Sequence, residues 1–212
     1  MRPVKKLFII IITGSLVYAT LRYPVFGGVD WIHFPLYVIN KVFAISGYLM
    51  LIISSLISLN KRHLKGWHLE LYEGKDLLGF GSLVLIIVHV FISVAILKPE
   101  YYDKFFGTDG KLNLTGELSM LFGVGGLAIM WMVHRFFSLS GDVDPKRKSR
   151  KSFQKLINLA IIAGFFHAAI MGIKSWMSPW DWYGYLPPIS LIASAGFLIW
   201  LFVFFSKKPP AT

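Results

Sequence analysis

Two histidines stand in strongly apolar stretches of this 212-residue chain. His89 closes the run Leu83-Val84-Leu85-Ile86-Ile87-Val88, and His167 closes Ala160-Ile161-Ile162-Ala163-Gly164-Phe165-Phe166. An ionisable group inside a membrane-length apolar run is costly, and marks a functional site by default. Read as helices crossing in the same direction, the two stretches put His89 12 residues beyond Leu77 and His167 14 beyond Phe153. At the helical rise these positions lie roughly 18 and 21 Å from the inner edge, level within about 3 Å. Two level imidazoles on neighbouring helices can supply both axial ligands of a haem iron. The chain has no cysteine, so such a haem is held non-covalently and is of b type. The competing reading is that each imidazole hydrogen-bonds a carbonyl or hydroxyl across a helix bundle.

Other residues fall into place around this pair. Gly164, with Ala163 and Ala160, shares the helical face of His167 and leaves room for a flat ligand or a close helix. Lys41 in the outer part of the second stretch, and Arg22 near the end of the first, could pair with haem propionates; Lys41 could equally snorkel to the interface. His134, next to Arg135, falls about 9 Å from the inner edge. It is a candidate for a quinone headgroup or a proton, or is simply interfacial. His33, His63 and His68 read as interfacial or solvated. No residue is expected to be catalytic in itself.

The elements that must position these groups follow from hydropathy. Apolar residues make up 55% and charged residues 16%, with mean hydropathy +0.61, against about 25% charged in soluble domains. A membrane-crossing helix needs about 20 mostly apolar residues. Six stretches qualify: Leu7 to Phe26 (broken by Arg22 and Pro24), Leu36 to Leu59, Leu77 to Leu97, Leu118 to Leu139, Phe153 to Ile173 and Tyr185 to Phe205. Unpaired strand edges are not tolerated in lipid, so the expected fold class is an all-α, six-helix polytopic membrane protein occupying residues 1–212 as a single transmembrane domain. The alternate connections carry sixteen Lys and Arg against five on the other side. The positive-inside rule puts both termini in the cytoplasm, and a bacterial inner membrane fits. The net charge of +11 is then topology and anionic-lipid contact, not nucleic-acid binding.

The start of the chain also resembles a signal peptide, with Val17-Tyr18-Ala19 as a conceivable cleavage site. The connections leave no room for a nucleotide-binding domain. Gly79-x-Gly81 and Gly123-x-Gly125-Gly126 lie within apolar stretches and read as helix-packing glycines.

Six spans with paired histidines on the third and fifth resemble the ferric-reductase-like transmembrane domain superfamily. Lys75-Asp76-Leu77-Leu78-Gly79 followed by His89 resembles its third-span motif, and Ser152-Phe153-Gln154-Lys155-Leu156 followed by His167 its fifth. The short chain, without a flavin domain, is most similar to the MsrQ (YedZ) haem-binding membrane subunits, and Lys41 lies where those have a basic residue. Two-haem members carry an inner histidine pair; here Lys75 and Gln154 stand in its place, so one haem is expected, nearer the outer face.

The resemblance implies an electron-transfer subunit of an oxidoreductase system, not a self-contained enzyme. Its donor would be the quinone pool or a separate cytoplasmic flavoprotein. Its acceptor would be an outer-face redox partner such as a periplasmic molybdenum-containing sulfoxide reductase. The aromatic loops 101–115 and 175–187 are candidates for docking it, or an interfacial belt. The alternative is a haem-free membrane anchor or assembly subunit; a transporter is disfavoured by the lack of mid-depth acidic residues and of inverted repeats.

Overall fold

The structure, a computed structural model, describes residues 3–59, 67–139 and 147–206. Among them six helices are long and apolar enough to cross a membrane, and there is no β-strand, only a single bridge between Phe106 and Leu112. The spanning helices are α1 (Pro3–Thr20), α2 (Ile39–Leu59), α3 (Trp67–Ala95), α5 (Leu114–Leu139), α6 (Arg147–Trp176) and α7 (Ile189–Ser206). A short helix α4 (Pro99–Tyr102) sits between α3 and α5. The protein is an all-α multi-pass membrane protein.

Helix boundaries depart from the hydropathy limits. α3 begins at Trp67 and not Leu77, and α6 at Arg147 and not Phe153, because a helix continues through polar residues once its apolar part has formed. α7 starts later than expected, at Ile189. Pro187 and Pro188 precede it, and Pro188 offers its carbonyl to the Leu191 amide at 2.9 Å. The basic loops counted for orientation lie largely outside the described residues, as does His63; the side chain of His68 is likewise not described.

The middle of the bundle is α2. Half of its apolar window is buried, against 17–28% in the other five spans, so groups at its N-terminal end face the molecular interior. α2 meets α3 at Gly47, where a Cβ would come within 2.9 Å of Ile86. The Ser82 hydroxyl closes that contact by donating to the Gly47 carbonyl at 2.7 Å. On the other flank α7 packs through stacked rings: Phe165 on Phe197 at 4.2 Å and Phe197 on Trp200 at 5.7 Å.

Two wide π turns shape the end away from the chain termini. Leu21–Val25 contains Pro24, and Phe34–Val38 contains Pro35. Proline lacks an amide hydrogen and crowds the preceding turn, and such turns re-aim the side chains next to them. Arg22 lies within the first of these turns and Lys41 just beyond the second. The connection after α3 then folds inward. Tyr102 and Phe105 bury against Ile96 in a small cluster of their own and roof that end of the bundle.

Candidate cofactor cavity between two histidines

His89 comes from the C-terminal third of α3 and His167 from that of α6. Their ring centres are 6.3 Å apart, with planes at 74°. Each ring is turned by a group on a different helix. His89 Nδ1 lies 2.8 Å from Asn40 Oδ1 and 3.2 Å from the Asn40 carbonyl, both on α2. His167 Nδ1 lies 2.8 Å from the Ser119 carbonyl on α5. A carbonyl oxygen only accepts, so both Nδ1 atoms carry the hydrogen and donate it. The neutral ring then leaves Nε2 as a bare lone pair, the form in which imidazole binds a metal.

Both rings line a cavity of about 400 Å³, within the size range of ligand sites. Its walls are apolar along α3, α5 and α6, with Val90, Val94, Leu127, Met130 and Ala168 among them. Its end near the roof is charged. Arg22 is 5% exposed. Its guanidinium donates to the Leu186 carbonyl and lies over Tyr23 and Tyr183 at 5.6 and 5.2 Å, and its Nε has no hydrogen-bond partner. The Lys41 ammonium stands 4.2 Å from the ring centre of Tyr37, 5.3 Å from Tyr23 and 5.4 Å from Tyr102. Lys104 closes the set, donating to the Met171 carbonyl at 2.6 Å. The residue as a whole is exposed, while its ammonium is held on that carbonyl. Desolvation pushes that group down to about 8; the charge of Lys41 adds to the effect and Asp103 opposes it. Asp103 is the sole carboxylate among the lining residues.

Of the residues singled out from sequence, His89, His167, Lys41, Arg22 and Gly164 all line this one cavity. Arg22, read from sequence as a break in a span, is buried inside it. Gly164 leaves room chiefly for a neighbouring ring, since a Cβ there would collide with Tyr48, whose hydroxyl donates to the Ile161 carbonyl at 2.7 Å. His134 and Arg135 are not part of the cavity. His134 packs against Phe80 and Trp131 at 5.8 and 6.1 Å, and Arg135 is exposed. His33 is exposed and lies 3.2 Å from the Tyr101 hydroxyl.

At the other end of the bundle, Gln154 donates to Asn158 at 2.9 Å and to Ser55 at 3.3 Å, and Trp200 donates to the same Ser55 at 3.0 Å. Lys75 pairs with Asp76 at 3.0 Å. Packed protein groups thus stand at the positions of Lys75 and Gln154. The aromatic loop between α6 and α7 is divided. Trp176 and Trp182 are tied down by bonds to Ser190 and the Ser175 carbonyl, while Trp180 and Tyr185 are more than four-fifths exposed.

Sequence reasoning passed over four contributors. Asn40 carried a usable signal, being an amide inside an apolar span, where a polar group demands partners. Gly123 reads from sequence only as a helix-packing glycine, and Ser119 and Lys104 carried no signal, because only the packing of distant segments brings them to the cavity. Comparison with known proteins assigns the chain to no family: no family model matches it, and no curated protein does either.

Proposed function

We propose that this protein is a haem b-containing electron-transfer subunit of the bacterial inner membrane, with both termini cytoplasmic and the histidine pair toward the outer face. One observation carries the reading: two imidazoles, each with its Nδ1 hydrogen committed to a carbonyl, face one cavity 6.3 Å apart. A metal bonds an imidazole nitrogen at about 2.0–2.1 Å, and that nitrogen lies about 1.1 Å from its ring centre. Two imidazoles sharing one metal would therefore have centres up to about 6.3 Å apart.

The surroundings support a porphyrin over a bare ion. Among the described residues no group of three or more His, Cys, Asp or Glu side chains could cage a metal, whereas a porphyrin brings four nitrogens of its own. The cavity's charged end holds Arg22, Lys41 and Lys104 against Asp103 alone, a surplus of two positive charges that suits two propionates. The unpartnered Arg22 Nε is a donor awaiting such a group.

A haem held here would supply one-electron chemistry at iron. The chain's own part is to fix the ligands, exclude water and set the distance to donor and acceptor. His89 and His167 would hold the iron, Asn40 and Ser119 hold the tautomers of those rings, and the cations would orient the charged edge. The ferric-reductase-like resemblance, with its MsrQ-like subunits, supports a quinol or cytoplasmic flavoprotein donor and an outer-face acceptor such as a periplasmic sulfoxide reductase. The test is spectroscopic. Protein purified from haem-supplied cells is expected to show a Soret band that shifts on dithionite reduction, and His89→Ala and His167→Ala each to lose the low-spin spectrum. A colourless preparation would leave a haem-free membrane anchor as the reading.

A further inference from the structure

The two histidines are held in chemically different ways. The acceptor for His167 is the backbone carbonyl of Ser119 at 2.8 Å, with the Ser119 hydroxyl at 3.2 Å. The shortest contact to His89 is instead a side chain, Asn40 Oδ1 at 2.8 Å. Asn40 is 1% exposed and cannot turn. Its amide nitrogen donates to Ser93 at 2.9 Å and to the Tyr102 hydroxyl at 3.3 Å, which fixes Oδ1 toward the imidazole. Ser93 in turn lies 3.4 Å from the same Nδ1. Every polar group of this amide is thus used, and the amide ties the cavity-lining histidine to the roof.

We propose that Asn40 is a positioning residue that sets the donor strength of His89, so that the two histidines would be unequal ligands to a bound haem and its potential would be tuned from the Asn40 side. The proposal rests on the reading of His89 and His167 as haem ligands. A hydrogen bond accepted from Nδ1 shifts electron density toward Nε2 and makes the ring a stronger donor. A stronger donor favours the ferric state and lowers the midpoint potential. Asn40 adds a second, side-chain acceptor to a backbone carbonyl; His167 depends on a carbonyl that mutation does not remove.

Three variants separate these roles. Asn40→Leu keeps the volume and removes the amide. Its midpoint is expected to rise by about 59 mV, a tenfold change in the ferric-to-ferrous ratio for one electron. Asn40→Asp keeps the shape and the acceptor, and its midpoint is expected at or below that of the wild type. Ser58→Ala, on the same helix as Asn40 but with its hydroxyl on the Ser54 carbonyl and away from the cavity, is expected to leave the midpoint unchanged. Nitrogen-15 shifts of His89 in haem-free protein give a readout independent of redox activity: wild type is expected as the Nδ1–H tautomer, and Asn40→Leu as a mixture. If haem binds but Asn40→Leu leaves the midpoint and the tautomer as they were, this proposal is overturned and the haem reading stands. If Asn40→Leu does not fold, a midpoint for Asn40→Asp above that of the wild type overturns it equally. If wild-type protein binds no haem, both fall.

Discussion

Gly123 on α5 lies so close to His167 that a single added Cβ would stand 2.9 Å from its Nδ1 and 3.1 Å from its Cε1. The ring cannot retreat, because the same Nδ1 is tied to Ser119 one turn earlier on the same helix. Gly123→Ala is therefore expected to displace the imidazole, weaken haem binding and destabilise the bundle by about 1–3 kcal/mol, the usual range for overpacking. Gly125→Ala, two residues away with nothing within 4 Å of its Cβ, is the control and should be silent. Haem titration and thermal melting in detergent check both; equal behaviour of the two variants would remove the steric argument.

The charged end of the cavity makes a separate prediction. Bonds from charged donors contribute about 1.5–3 kcal/mol, so Arg22→Gln and Lys41→Gln should each weaken haem affinity by about tenfold or more. Arg22→Lys should not restore it, because an ammonium cannot reproduce a planar guanidinium set between Tyr23 and Tyr183. Titration with the dimethyl ester of haem, which has no propionate charge, should abolish the difference between variants. A persistent difference would mean that these residues act through packing.

Lys104 brings a pH dependence. Its ammonium is lowered to about 8, below its ordinary value, so above that pH the free protein loses this charge. An anion placed beside it favours the protonated form, so binding takes up a proton. Haem affinity is thus expected to be highest below pH 8 and to fall as pH rises through the alkaline range. Lys104→Gln should bind more weakly at neutral pH and lack this alkaline fall. Affinities at pH 7 and pH 9.5 suffice as the check.

Tyr48 offers a contrast between fold and site. Its ring fills the space left by Gly164 and its hydroxyl holds the Ile161 carbonyl at 2.7 Å. Tyr48→Phe removes one interhelical hydrogen bond, expected to cost about 0.6 kcal/mol in a membrane protein. Its haem spectrum should be unchanged, while its melting temperature falls slightly. Gly164→Ala should lower both stability and haem content, because the displaced ring is also part of the cavity wall.

Much of the architecture was legible along the chain. Six apolar stretches became six spanning helices, because in lipid the backbone must bond within its own segment and length alone then limits the choices. Depth along two parallel helices also put His89 and His167 level, since helical rise is a local constant. Helices α3 and α6 begin several residues before the apolar stretches read from sequence, because helix formation outlasts the apolar run that hydropathy detects; the apolar span within α6 still starts at Phe153 as expected.

Local rules therefore determined the number of spans and the pairing of two imidazoles at one height. Tertiary packing alone decided that Asn40 and Ser119 turn those rings, that Gly123 makes room for one of them, and that Arg22 points inward beside Lys41 and Lys104. These contacts join residues tens of positions apart on different helices. Their distances depend on how helices rotate and tilt against one another, which hydropathy and periodicity do not encode.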